Sequence, residues 1–281
     1  PLPRKNGEDS NRQVKVAFLF PGQGCQSVGM GLDLYQNYPA AKKVFDEADD
    51  ILGFSLSKLC FEGPAEELDK TENTQPAVFT TSIACLRVLQ EKKGLDRNFE
   101  PDIVAGHSLG ELTSLVAAEV LSFPDALRLV RRRGQLMQEA SESNPGTMMA
   151  VLGLKEQEVL KIVHDNGVKI ANINSPEQIV VSGPKRYIDE VAIKIQAKGG
   201  KVKYLNVSGA FHSPLMRPAQ DSLREFISSL NFKNPVKPIL SNTSVRPLST
   251  ARGLKNELVI HLCHCVRWCQ SMEYIIKAGF F

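Results

Sequence analysis

A serine set between glycines, Gly106-His107-Ser108-Leu109-Gly110, lies where the apolar run Ile103-Val104-Ala105 gives way to Leu109, Leu112, Val116 and Val120 at helical spacing. A strand that turns directly into a helix through one serine is a nucleophile elbow, which commits this part of the chain to an α/β architecture. The serine backbone is strained there, and a side chain at either flanking glycine would crowd the neighbouring strand and helix. The turn presents the hydroxyl to a reactant. The first amides of the following helix, at its positive dipole end, face the place where an oxyanion would form. A chance glycine-containing loop is the competing explanation, and the strand-then-helix context weighs against it.

Upstream of the elbow, residues 14–20 read as a buried strand running into Pro21-Gly22-Gln23-Gly24, whose glycines allow close backbone approach. Helical patterns follow at 40–52 and 76–90, the second with Pro76 placed in its first turn. Ser122, with Pro124 just inside, caps a helix running to about Ser141. Beyond Gly146 the texture changes. Strand-like runs at 147–152, 170–174, 179–182 and 201–207 alternate with helical stretches at 156–166 and 185–198. That strand-helix-strand-strand-helix-strand order is the ferredoxin-like arrangement. The predicted organisation is therefore a large α/β domain built from residues 14–144 and 208–281, interrupted by a small ferredoxin-like domain at 145–207. Residues 1–13, polar throughout, read as a disordered tail.

With 281 residues, 42% of them apolar and 23% charged, the chain has the composition of an ordinary globular protein with a substantial core. No apolar stretch approaches the roughly 20 residues of a membrane span. A net charge of +3 gives no reason to expect nucleic-acid binding and does not oppose an acidic partner. Six cysteines without an even framework indicate reduced thiols in a cytosolic or organellar interior. His261, Cys263, His264, Cys265 and Cys269 cluster in sequence, but their spacing matches no common zinc site, so no metal is expected.

A serine nucleophile needs a base, and histidine is the side chain suited to it near neutrality. His107, next to Ser108, is placed by strand alternation beneath the elbow as a packing residue. His164 belongs to a solvent-facing helix. His212, in Gly209-Ala210-Phe211-His212-Ser213-Pro214, occupies a loop suited to an immobilised ring and is the candidate base. Among Arg131, Arg132 and Arg133, only Arg133 has solely apolar neighbours three and four residues away: Leu129, Val130, Leu136 and Met137. It is expected on the buried face, where a guanidinium needs an anionic partner, either a protein carboxylate or a substrate carboxylate gripped by its planar fork.

These segments together resemble the malonyl-CoA:acyl carrier protein transacylases, a family that includes the acyltransferase domains of fatty-acid and polyketide synthases. The motifs are Phe20-Pro21-Gly22-Gln23-Gly24, Thr74-Gln75-Pro76-Ala77, Gly106-His107-Ser108-Leu109-Gly110-Glu111, Arg133-Gly134, Gly209-Ala210-Phe211-His212, Ser241-Asn242 and Val266-Arg267-Trp268. The resemblance implies a hydrolase-like, mainly parallel sheet domain with the site in the cleft beside the small domain. It implies Ser108 as nucleophile, His212 as base and acid, and Arg133 as the ligand of a malonyl carboxylate. Backbone amides of Gln23 and Leu109 would form the oxyanion hole. Gln75 and Phe211 would line the site, and the backbone carbonyl of His261 would orient His212. By the same resemblance, members that take malonyl units tend to have a bulky apolar residue after the serine and phenylalanine before the histidine, as Leu109 and Phe211 are here, although one extra methyl on the substrate is worth only about 1–3 kcal/mol. The implied partners are malonyl-CoA and an acidic, phosphopantetheinylated acyl carrier protein, with no metal or redox cofactor. A monomer is expected, cytoplasmic in a bacterium and in a plastid or mitochondrion in a eukaryote.

Three departures accompany the resemblance. The family usually has glutamine at the position of His261, and Asn-Pro or Ser-Pro at that of His264-Cys265. It also continues into a Glu-Val-Gly-Pro-Gly segment beyond Phe281. Two rival readings follow from the residues: an esterase or thioesterase in which a protein carboxylate occupies Arg133, and a non-catalytic carrier-binding protein.

Overall fold

The computed structural model describes residues 15–92, 100–164 and 167–280. The expected 1–13 tail and the end of the 156–166 helix thus lie outside the described residues. In chain order, β1 (Ala17–Phe20) is followed by helices α1 (Leu32–Asn37), α2 (Pro39–Leu52), α3 (Leu56–Glu62), α4 (Ala65–Leu68) and α5 (Thr71–Lys92). Next come β2 (Ile103–Gly106), α6 (Leu109–Ala117) and α7 (Phe123–Ser143). A second group comprises β3 (Thr147–Leu152), α8 (Glu156–Val163), β4 (Lys169–Ser175), β5 (Gln178–Gly183), α9 (Lys185–Ala197) and β6 (Lys201–Tyr204). The chain closes with α10 (Arg217–Ser229), β7 (Ile239–Leu240), β8 (Pro247–Leu248), α11 (Ala251–His261) and α12 (Trp268–Lys277).

Two four-stranded sheets result. The first has the order β1-β2-β7-β8, with β1, β2 and β7 parallel and β8 antiparallel at the edge. Strand β2 is central and buried along its whole length, which is why it reads as an unbroken apolar run. The second sheet has the order β4-β5-β3-β6 and is antiparallel throughout. It encloses a separate apolar core with α8 and α9, including Met149, Val151, Val181, Ile188, Val191 and Ile195. No helix among the described residues is long and apolar enough to cross a membrane. All six cysteines are free thiols.

One helix starts earlier than its proline suggests. Pro76 is not a first-turn residue but lies inside α5, which begins at Thr71. Proline cannot donate the interior helical bond to the carbonyl four residues back, that of Glu72. Arg131 of α7 supplies a donor instead, its Nη1 reaching the Glu72 carbonyl at 2.6 Å and Asn73 Oδ1 at 2.8 Å. Gly134 lets the two helices approach, since a Cβ there would lie 2.8 Å from Glu72 Cα. The Ser122 cap holds as the sequence indicates, with its hydroxyl accepting from the Asp125 amide. The strand expected over 201–207 ends at Tyr204.

Candidate active site

Ser108 sits between β2 and α6 with φ 49° and ψ −102°, a conformation unusual for a residue with a side chain. Both elbow glycines are required by contact. A Cβ on Gly106 would stand 1.9 Å from the Gly110 carbonyl carbon, and one on Gly110 would stand 2.3 Å from the Phe20 oxygen. Asn242, just after β7, fastens the turn from below. Its Nδ2 donates to the Gly106 carbonyl at 2.7 Å, and its Oδ1 accepts from the Ser108 amide at 2.8 Å. The sequence motif contained Asn242 without a role for it, and only the strand order β2-β7 reveals one.

The Ser108 hydroxyl lies 2.8 Å from His212 Nε2, and His212 Nδ1 lies 2.9 Å from the His261 carbonyl oxygen. A carbonyl can only accept, so Nδ1 carries the ring proton and Nε2 is left to accept from Ser108. His212 is buried and itself takes a positive φ of 56°. Burial, reinforced by the nearby Arg133 charge, lowers its pKa to about 3, so the free ring is neutral across the physiological range, with Nε2 open to a proton.

Arg133 is 2% exposed on α7, as its helical neighbours indicated. Its Nη1 donates to Gln75 Oε1 at 2.6 Å and its Nη2 to Ser108 Oγ at 3.3 Å. Neither contact is a carboxylate, contrary to what the hydrolase reading requires. Burial lowers its pKa to about 10, so it stays charged at neutral pH. Gln75 does not line the site. It is fully buried behind Arg133, with Nε2 donating to Thr71 Oγ1 at 3.1 Å, and it steers the guanidinium. Thr71 in turn donates to Gln23 Oε1 at 2.9 Å.

A cavity of 140 Å³ opens over these groups, lined on one side by Gln23, Ser108, Leu109, Arg133, Phe211 and His212. Met148, Asn172, Asn174, Val180 and Leu205 of the second sheet and its exit close the other side. His107 is also in this lining, not packed beneath the elbow. Strand alternation does not reach it, because β2 ends at Gly106 and the turn re-aims the next residue. Its Nε2 meets Asn174 Oδ1 at 3.0 Å, and its ring packs edge-on against Trp268. Loop 21–24 comes close because Gly22 lacks a Cβ, which would lie 2.5 Å from the His107 carbonyl oxygen. His164 is exposed at the end of α8, away from the cavity. No grouping of three or more metal-ligating side chains occurs among the described residues.

The profile of the acyl transferase domain family matches residues 17–274. The chain belongs to the acyl transferase family. A malonyl CoA-acyl carrier protein transacylase of Bacillus subtilis (strain 168) is 44% identical to this acyl transferase over 272 residues, covering 94% of this chain and 84% of its own length. The solved structure of the malonyl CoA-acyl carrier protein transacylase from Coxiella burnetii superposes with a TM-score of 0.91 at 36% identity, over 95% of this chain and 85% of that one. A malonyl-transacylase solved in complex with a type II polyketide synthase acyl-carrier protein gives a TM-score of 0.90 at 38% identity, over 95% and 86%.

Proposed function

We propose that this acyl transferase moves malonyl from coenzyme A to the phosphopantetheine thiol of an acyl carrier protein, through a malonyl ester of Ser108. The observation that carries the reading is Arg133, a buried cation 3.3 Å from the Ser108 hydroxyl and hydrogen-bonded to a neutral amide instead of a carboxylate. A malonyl carboxylate completes it with two charge-assisted hydrogen bonds. An acetyl methyl would leave the guanidinium unpaired, at a cost of about 2–5 kcal/mol. The names of the transacylase relatives and the solved carrier complex support the same substrates.

In the first half-reaction Ser108 Oγ bonds to the thioester carbon as His212 Nε2 takes its proton. The resulting oxyanion is met by the backbone amides of Gln23 and Leu109. The carbon–sulfur bond then breaks, and His212 returns the proton to the coenzyme A thiolate. In the second half the carrier thiol gives its proton to His212 while sulfur attacks the ester. The carbon–oxygen bond breaks and Oγ is reprotonated. The His261 carbonyl holds the imidazole in the required tautomer throughout. Phe211 closes the acyl end of the cavity, and Gln75 positions Arg133.

Residues 145–207 form a ferredoxin-like insertion in this reading, within a hydrolase-like domain of residues 14–144 and 208–281. The support is the βαββαβ element order and the antiparallel strand order β4-β5-β3-β6.

Intact-protein mass spectrometry after brief mixing with malonyl-CoA, and separately with acetyl-CoA, tests the proposal. A malonyl increment on the parent and none on Ser108→Ala is expected, with little acetylation. No increment from either thioester would return the chain to the hydrolase or carrier-binding readings.

A further inference from the structure

Behind the histidine base, two ionisable side chains face one another away from solvent. Glu111, in the first turn of α6, and His261, the last residue of α11, are both fully buried, with Glu111 Oε2 3.3 Å from His261 Nδ1. That is just beyond the usual hydrogen-bond range of about 2.7–3.2 Å, so a small adjustment closes it. Neither Glu111 oxygen and neither His261 ring nitrogen meets another partner in hydrogen-bond geometry among the described residues. The His261 ring also stacks at a tilt on His212, with centroids 5.1 Å apart.

A lone carboxylate or imidazolium at this depth would cost several kcal/mol, whereas a carboxylic acid beside a neutral imidazole carries no charge. The surroundings act in the same direction. Burial pushes Glu111 well above the ordinary carboxyl range, and the Glu257 carboxylate adds to this, opposed by the backbone N–H of Asn242, which stops short of hydrogen-bond geometry, and by Arg133. Burial likewise pushes His261 well below its ordinary value, joined by His212, Arg133, His107 and His264.

Arg133 gives the arrangement a consequence for substrate binding. Its hydrogen bonds go to Gln75 and Ser108, and Glu111 is the carboxyl that would favour its charge when ionised. An ionised Glu111 would act as a resident counterion and compete with a substrate carboxylate. We propose that His261 is a positioning residue whose Nδ1 accepts a hydrogen bond from a protonated Glu111, keeping that acid neutral so that Arg133 remains uncompensated until a substrate carboxylate arrives. The inference rests on Arg133 binding the malonyl carboxylate. The ring proton of His261 then resides on Nε2, and its backbone carbonyl holds His212. One residue thus serves both the base and the arginine.

Kinetics of His261→Leu and of the double variant His261→Leu/Glu111→Gln, from about pH 6 to about pH 8.5, test this. Leucine removes the acceptor, so Glu111 ionises toward Arg133 as pH rises. KM for malonyl-CoA should increase by about tenfold across that range while kcat changes less. Glutamine in the same background removes the ionisable group, so KM should lose its pH dependence and return toward the parent value. The same KM in single and double variants at every pH would overturn the proposal, as would a pH-independent KM in the single variant. Infrared difference spectroscopy needs only the parent and Glu111→Gln. The parent should show a protonated-carboxyl stretch at neutral pH that the variant lacks, and the absence of that band would also overturn the proposal. The band is read without substrate, so it separates failure here from failure of the acyl-transfer reading.

Discussion

The His212 imidazole is held neutral by its surroundings. An ordinary histidine, with pKa near 6.5, loses about tenfold of its neutral form between pH 7.5 and pH 5.5. Here burial and Arg133 lower the pKa to about 3, so the neutral fraction stays near unity over that interval. The sign is fixed: a lowered pKa moves the acidic limb of a base-dependent rate downward. The kcat/KM for malonyl-CoA reports the free enzyme and should change less than about twofold between those pH values. A tenfold fall in stopped-flow acylation would mean that His212 titrates as an exposed histidine. The burial of Arg133 was legible in sequence because it needs only neighbours on its own helix. The placement of Gln75 was not, because it depends on which face of α5 meets α7. His107 escaped for a related reason, as the alternation rule stops where β2 stops.

Helices α5 and α7 form the wall that carries Gln75 and Arg133, and their junction contains a repaired defect. Pro76 leaves the Glu72 carbonyl without its helical donor, and Arg131 fills the gap from across the interface. Its Nη2 also lies 3.2 Å from the half-buried Glu72 carboxylate, and its guanidinium covers the Phe54 ring. Arg131→Ala should therefore destabilise the protein by about 2 kcal/mol, a drop of roughly 4 °C in thermal midpoint. Adding Pro76→Ala restores an N–H at the right place, so the double variant should recover part of that loss. If Pro76→Ala changes the midpoint equally with and without Arg131, the coupling is absent. This junction also marks the limit of reading helix starts from proline. The first-turn preference is sound for an isolated helix, and here a side chain from another helix overrides it. The capped start of α7 was readable because Ser122 and Asp125 satisfy each other locally.

The second sheet has an apolar core of its own on one face and packs Met148, Ala150, Ala171 and Val180 of the other face into the large core, and polar ties around the cavity fix how the two sheets meet. One tie is backbone: Val266 donates to the Ala171 carbonyl at 2.8 Å and accepts from the Ile173 amide at 2.9 Å, which links β4 to the segment just after His261. Arg267 continues it, donating to the Asn242 carbonyl at 2.9 Å and so reaching the residue that fastens the elbow. Another tie is the His107–Asn174 contact at the cavity lining. Neither was visible in the sequence, because both cross between distant parts of the chain. If the His107–Asn174 tie sets the cavity's width, removing it should cost catalysis more than stability, since the apolar contacts of Met148, Ala150, Ala171 and Val180 with the large core still hold the sheets together. Asn174→Ala removes one hydrogen bond, worth about 1 kcal/mol, and should lower kcat/KM for malonyl-CoA by about fivefold. Its thermal midpoint should fall by less than that of Arg131→Ala. A midpoint loss as large as for Arg131→Ala, with kcat/KM unchanged, would show that the contact holds the sheets together without shaping the site.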